Sequence, residues 1–336
     1  MSFEIHREPL YRRYYATYAS PSFLYGLIFG FLLLFLPLII AYNSTGFWYK
    51  EGTYFEQPAV KYRYQAIVEV YGTSGYDRST SSATLEGTQQ KPLILYYSTS
   101  PKLNQMHNKN FRSAMVQSAE LDDDRDGINE RIEFTMRMPL APDEQVTGMT
   151  AVLLHDVVIS ERARYVFDAA SFVNFDGGSA ISNLNIDGDI QVRQSWPLST
   201  KGGYKVPYSG SPLLTREPAP GMSVSDMSVE AIMAETASRN LSTVFTPTYK
   251  LASRPYEPSM VDLDTRYFNM TITLRVPEQP IWYTPNASEV LKWAWMQYIS
   301  FFVVVGWLLF RLNSYVFRHQ LLPTYPVADI VNEKMD

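Results

Sequence analysis

The chain has 336 residues, 29 Lys and Arg against 34 Asp and Glu, a net charge of −5 and no cysteine. That acidic balance excludes nucleic acid or anionic lipid as the main partner of its polar part, and the missing thiols exclude disulfides, thiol chemistry and zinc–thiolate sites.

Ahead of the first apolar stretch, Tyr11, Tyr14, Tyr15 and Tyr18 recur at i, i+3, i+4, i+7 around Arg12 and Arg13. This is the pattern of an interfacial helix, or simply of the aromatic belt before a span. Ser22–Tyr42 is uncharged and apolar throughout, and a bilayer core needs roughly 20 such residues. A cleaved signal peptide is the alternative reading, but the run is too long, continues into Gly46-Phe47-Trp48-Tyr49, and meets no A-x-A-like site. A second apolar stretch, Trp293–Phe310, lies between Lys292 and Arg311. The predicted layout is a cytosolic segment (1–21), a first transmembrane helix (22–42), an exterior β-rich domain (43–292), a second transmembrane helix (293–310) and a cytosolic tail (311–336). Orientation follows the basic residues flanking the spans: Arg7, Arg12 and Arg13 before the first, Arg311 and Arg318 after the second. Both termini are therefore expected in the cytosol.

Within the first span, Gly26 and Gly30 form a Gly-x-x-x-Gly pair that permits close helix approach, and Pro37 is expected to kink its exterior end. Gln297 and Ser300 in the second span are polar groups expected to face another helix. Four sequons, at Asn43, Asn240, Asn269 and Asn286, all fall between the spans, as N-glycosylation on the secretory side requires. Asn240 and Asn269 are the better acceptors because Asn43 and Asn286 sit next to the membrane.

The region between the spans alternates with period two. Strands are predicted at Val60–Tyr71, Leu93–Tyr97, Arg131–Met138, Thr150–Ile159, Arg164–Phe175, Leu184–Gln194 and Tyr267–Val276. So many short strands imply an antiparallel sandwich, with two small β-domains divided near residue 200 as the alternative. One helix is predicted at Ser225–Ser238, capped by Ser225 or Asp226, with Val229, Ile232 and Met233 on one face. Gly72–Gln90 and Lys201–Pro220 read as loops. Asp187-Gly188-Asp189 reads as a hairpin turn.

The sharpest local motif is the acidic run from Asp122 to Glu133. Calcium takes oxygens at alternate positions of a tight loop with glycine at the sixth place. Asp122, Asp124, Asp126, the Ile128 carbonyl, Glu130 and Glu133 have that spacing around Gly127. Flanking helices are not expected, so the motif reads either as a structural calcium loop in a β-domain or as a solvated turn. The four histidines, His6, His107, His155 and His319, are scattered, and no nucleophile elbow or phosphate loop appears.

Gly46-Phe47-Trp48-x-Lys50, then Glu56-Gln57-Pro58-x-Val60, resembles the stretch after the first span in the transmembrane protein 231 family. The acidic turn running into Phe134 and Pro139-Leu140, the run Arg239-Asn240-x-Ser242-Thr243-Val244, and Lys292-x-Ala294-Trp295-x-Gln297-Tyr298 are similar to that family as well. The resemblance is collinear over most of the chain and is absent from the Gly72–Gln90 and Lys201–Pro220 regions. It implies a non-enzymatic structural component of the ciliary transition zone, in the tectonic-like, B9-domain-containing complex. Its implied partners are other transition-zone membrane proteins and B9-domain proteins, and its implied role is a diffusion barrier needed for ciliogenesis. No catalytic residue or cofactor comes with the family. A two-span ion-channel subunit and a cell-surface receptor or adhesion subunit are the rival classes. Channel exteriors of this layout usually depend on disulfides, and the spans carry no acidic ring.

Overall fold

The computed structural model describes residues 12–18, 20–75, 91–209, 213, 228–254 and 266–328. It divides into two units, one formed by the two ends of the chain (1–50 and 285–336) and one by residues 51–284.

In the first unit, strand β1 (Arg12–Tyr15) leads to helix α1 (Pro21–Asn43). Ser20 caps α1 by accepting the Phe23 N–H at 3.3 Å, and Pro21 supplies the preset φ that opens a helix. Pro37 lies inside α1 without ending it. The second long helix, at Ala287–Arg318, extends past the predicted span at both ends. At 1.5 Å per residue the two helices are about 35 and 48 Å long, each enough to cross a hydrocarbon core of roughly 30 Å. Only 6% and 11% of their apolar windows are buried. Side chains such as Phe31, Leu34, Val303 and Trp307 stand exposed, a surface that lipid covers and water does not. These helices form an antiparallel hairpin through Tyr25 with Phe317, Phe29 with Phe310, and Gly306 against Leu33. Past the hairpin, Tyr325–Ala328 pairs antiparallel with β1, Tyr15 opposite Tyr325, and the Ser22 hydroxyl donates to the Pro323 carbonyl at 2.6 Å. This corrects the helical reading of the tyrosine repeat. Arg12–Tyr15 is a strand because the other end of the chain offers it a ladder, and Tyr11 lies outside the described residues.

The second unit is a β-sandwich. One sheet has four antiparallel strands in the order β4 (Lys91–Ser98), β3 (Ala59–Ser74), β7 (Gln145–Ile159), β8 (Tyr165–Ile181). The facing sheet has five, in the order β11 (Leu241–Ser253), β9 (Asn183–Gln194), β12 (Arg266–Arg275), β6 (Arg131–Leu140), β5 (Met115–Leu121). β12 runs parallel to β9 and the other pairs are antiparallel, so the all-antiparallel expectation is corrected at that junction. Because β9 pairs with both β11 and β12, the sheet crosses residue 200 and the two-domain alternative falls.

Strand β6 shows how sequence makes the sandwich. Ile132, Phe134, Met136 and Met138 point inward, while Glu133, Thr135 and Arg137 point out. Phe268, Met270, Ile272 and Leu274 of β12 meet them in the same core, each large side chain worth about 1.5–3 kcal/mol on burial. Strand β7 has no polar face. Ala151, Leu153 and Val157 enter the inter-sheet core, whereas Val152 and Leu154 enter a second cluster with Leu103 and Val229. That second cluster is covered by helix α2 (Pro101–Met106) and helix α3 (Val229–Ser238). α3 starts later than predicted. Its cap is Ser228, which accepts the Ala231 N–H at 3.2 Å, and Ser225 and Asp226 lie outside the described residues.

Asp187-Gly188-Asp189 is not a turn but the middle of β9. A Cβ on Gly188 would stand 2.4 Å from the Thr246 carbonyl oxygen and 2.7 Å from the Phe245 ring, so glycine is there to let β11 come close at its bulge. A small third sheet sets β13 (Gln279–Thr284) between β2 (Gly52–Glu56) and β10 (Leu198–Ser199). β2 and β13 are the first and last strands of the domain and pair antiparallel, Gly52 opposite Tyr283, so the chain enters and leaves the domain side by side.

Candidate functional site

The acidic run is the connection between β5 and β6, closed at its base by Leu121 opposite Arg131. Asp122 organises it: one carboxylate oxygen accepts the Arg125 N–H at 2.6 Å and the other the Gly127 N–H at 3.0 Å. Asp124 then accepts the Asp126 N–H at 3.0 Å, and Asp126 the Ile128 N–H at 2.7 Å. Arg125 and Gly127 both have left-handed φ, +66° and +91°, which Gly127 adopts without strain. The result is that one oxygen from each of Asp122, Asp124, Asp126 and Glu130 lies within 4.8 Å of the others, an all-oxygen donor set of the kind hard cations take. Glu130 also accepts the Asp123 N–H through one oxygen, while its other oxygen is buried with no hydrogen-bond donor. Glu133 stands on β6, opposite Thr273 and Ala119, outside this group. Asn129 turns away, its amide donating to the Val60 carbonyl at 3.1 Å and to Glu120 at 2.9 Å, which anchors the loop to β3.

A second polar cluster left no local signal in the sequence. Arg239, just after α3, has a side chain 2% exposed and pairs at 2.8 Å with Asp168 of β8, itself 6% exposed. Asp168 also accepts the Leu213 N–H at 2.8 Å and meets Arg63 at 3.5 Å, and Arg63 reaches Asp156 at 3.4 Å. Burial raises the Asp156 carboxyl, the nearby Arg63 pulls it down, and Asp168 pushes it up. Arg239 stacks 4.3 Å from the Tyr208 ring. This network staples α3, Tyr208 and Leu213 to the sheet.

His155 and Ser171 are 3.0 Å apart, the distance of a base and a nucleophile. Both are fully buried, and burial lowers the imidazole to about 3. A substrate cannot reach them, and the pair is core packing.

Of the sequons, Asn240 has its Oδ1 held by the N–H groups of Ser195 and Trp196 at 3.1 and 3.0 Å. Asn269 lies exposed on β12 and donates to Asn183 at 2.8 Å. Asn43 is the last residue of α1, and Asn286 is the N-cap of the second long helix, labelled α4.

In the hairpin, an added Cβ at Gly26 or Gly30 would meet nothing within 4 Å, so the pair is an open small-residue face and the α1–α4 contact runs through Gly306 instead. Gln297 lies beside Gly46, just after α1, with its Oε1 buried and unpaired. Ser300 donates to the Met296 carbonyl of its own helix at 2.8 Å.

The family model described as transmembrane protein 231 matches residues 1–326. The relative of that name from Bos taurus is 28% identical over 97% of this chain and 95% of its own. The Homo sapiens protein is 27% identical over the same shares, and the Xenopus tropicalis protein is 26% identical over 96% and 95%. A solved proton-activated chloride channel aligns with 88% of this chain and 98% of its own at 7% identity and a TM-score of 0.26, too low to carry an argument.

Proposed function

Because the chain belongs to the transmembrane protein 231 family, we propose that it is a non-enzymatic component of the membrane complex at the ciliary transition zone. The match over residues 1–326 carries this reading. In it, the hairpin of α1 and α4 anchors the protein with both termini in the cytosol, and the sandwich stands on the exterior or lumenal side. The open face at Gly26 and Gly30 is a place for the helix of a neighbouring membrane protein, since small residues let backbones approach closely. Barrier function then comes from dense lateral packing of such neighbours.

The acidic turn is part of the same proposal as a structural calcium loop. Four converging carboxylates repel one another, and the buried Glu130 oxygen lacks a donor. One cation offsets both costs.

Deleting the gene and following a fluorescent plasma-membrane protein tests the proposal. Entry of that protein into the cilium, with fast recovery after photobleaching across the ciliary base, is the expected result. Unchanged exclusion and unchanged recovery would overturn it.

A further inference from the structure

Asn240 opens the Asn240-Leu241-Ser242 sequon, and its amide is fixed in one orientation. Two backbone donors, Ser195 N–H and Trp196 N–H, converge on the same side-chain atom, and only an oxygen can accept both. Nδ2 therefore points the other way. Among the described residues it donates to no acceptor and is absent from the buried unpaired atoms, so it faces solvent. Asn269 differs, since its Nδ2 already donates to Asn183 in the middle of a sheet face.

Beside Asn240, the Trp196 indole is 62% exposed. Trp196, Asn240, Tyr208 and Pro207 line one open cleft of about 400 Å³, within the roughly 300–1,000 Å³ of pockets that seat small ligands. At its floor the buried Arg239, paired with Asp168, stacks on Tyr208.

We propose that Asn240 carries an N-linked glycan whose first N-acetylglucosamine seats in this cleft against Trp196. The proposal rests on the exterior placement of residues 43–292. In the transfer, Nδ2 forms a bond to the anomeric carbon of a lipid-pyrophosphate-linked oligosaccharide, the donor of the secretory pathway. The pyrophosphate leaves with the bonding electron pair, and Nδ2 gives up one proton and keeps the other. Transfer acts on the unfolded chain, and the native fold then accepts the product because Oδ1, the atom it needs, is untouched. The C–H face of the sugar suits the electron-rich face of an indole, and its hydroxyls stay toward water.

The full-length chain made in animal cells provides the test, with peptide mass analysis at residue 240 and native-state digestion by a glycan-releasing amidase. A control sequon, Lys201→Asn with Gly203→Thr, sits in an exposed turn where an added Cβ at 203 meets nothing within 4 Å. The expected result is a glycan at both positions, lost from residue 240 in Asn240→Gln. Trp196→Ala should keep the glycan yet speed its native release roughly tenfold, the equivalent of about 1.4 kcal/mol of sugar–indole contact, with no difference after denaturation. A glycan at residue 201 but none at Asn240 overturns the proposal while leaving the exterior placement intact. A glycan at neither position overturns the placement and the proposal with it. An unchanged release rate in Trp196→Ala overturns the seat in the cleft.

Discussion

Replacing Asp168 with Ala should be among the most damaging single changes in the sandwich. The change removes the carboxylate 2.8 Å from Arg239, a guanidinium almost wholly out of water, and strips the Leu213 N–H of its acceptor. Breaking a buried pair from one side costs about 3–5 kcal/mol because the surviving charge loses its main partner, and Arg239 would keep the half-exposed Glu235 carboxylate at 3.4 Å. For a domain of this size 1 kcal/mol moves the thermal midpoint by about 2–4 °C, so near-ultraviolet circular dichroism of the full chain in detergent should show a fall of about 6–20 °C. The Asp168 main-chain oxygen, 3.0 Å from the same guanidinium nitrogen, keeps the loss toward the lower half of that range. Asp168→Leu combined with Arg239→Met removes both charges and should recover the part of the loss due to the guanidinium without its main partner, leaving the part due to the Leu213 N–H. Asp123→Ala breaks the more exposed bridge to Arg131 at 3.3 Å and should cost no more than about 1 kcal/mol. If Asp168→Ala shifts the midpoint no further than Asp123→Ala does, the network is not holding α3 to the sheet.

Acid should weaken the fold through His155. Its unfolded imidazole takes a proton near 6.5 and the folded one only near about 3, so its contribution is full above 6.5 and is lost between those values at up to about 1.4 kcal/mol per pH unit. Asp156, raised in the fold, acts in the opposite sense, favouring the folded state as pH falls. Denaturant midpoints at pH 7 and 5 should converge in His155→Leu, and an unchanged pH slope in that variant would refute the assignment. If calcium fills the acidic turn, chelator should remove about 2.7 kcal/mol of stability when calcium had stood a hundredfold above its Kd, and the melting temperature of the full chain should fall accordingly. Asp124→Ala with Asp126→Ala should erase that sensitivity, and identical melts with calcium and chelator would leave the turn merely solvated. Gly306→Leu should disrupt the α1–α4 hairpin because Leu33 is already 3.6 Å from the added Cβ position. Gly26→Leu with Gly30→Leu should instead spare the hairpin and reduce co-purification of neighbouring membrane proteins. The reverse pattern would exchange the two faces.

The strands with one wet face were the legible ones. β6 and β12 alternate cleanly because water decides every second residue, and β7 was found through its β-branched and aliphatic enrichment although both its faces are largely buried. β13 escaped detection because Pro280 sits inside it and Pro277 and Pro285 flank it, yet it pairs with β2 along its length. β11 escaped for a related reason: past Phe245 its residues are nearly all exposed, so no burial rhythm marks them. Asp187-Gly188-Asp189 misled because a glycine serving close approach of two strands has the same local sequence as one serving a turn. The acidic turn was readable because its carboxylates are neighbours in sequence, with Glu133 the one member that the strand carries away. Arg63, Asp168 and Arg239 come from β3, β8 and the end of α3, and Trp196 meets Asn240 only through pairing of β9 with β11. No spacing rule reaches across such separations.

The central claim is residence in the membrane at the base of the cilium. Super-resolution imaging of an endogenously tagged copy, with markers for the basal body and the axoneme, tests it most directly. The account predicts a ring confined to the interval between the two markers. A signal spread over the cell surface, or along the whole ciliary membrane, would contradict it.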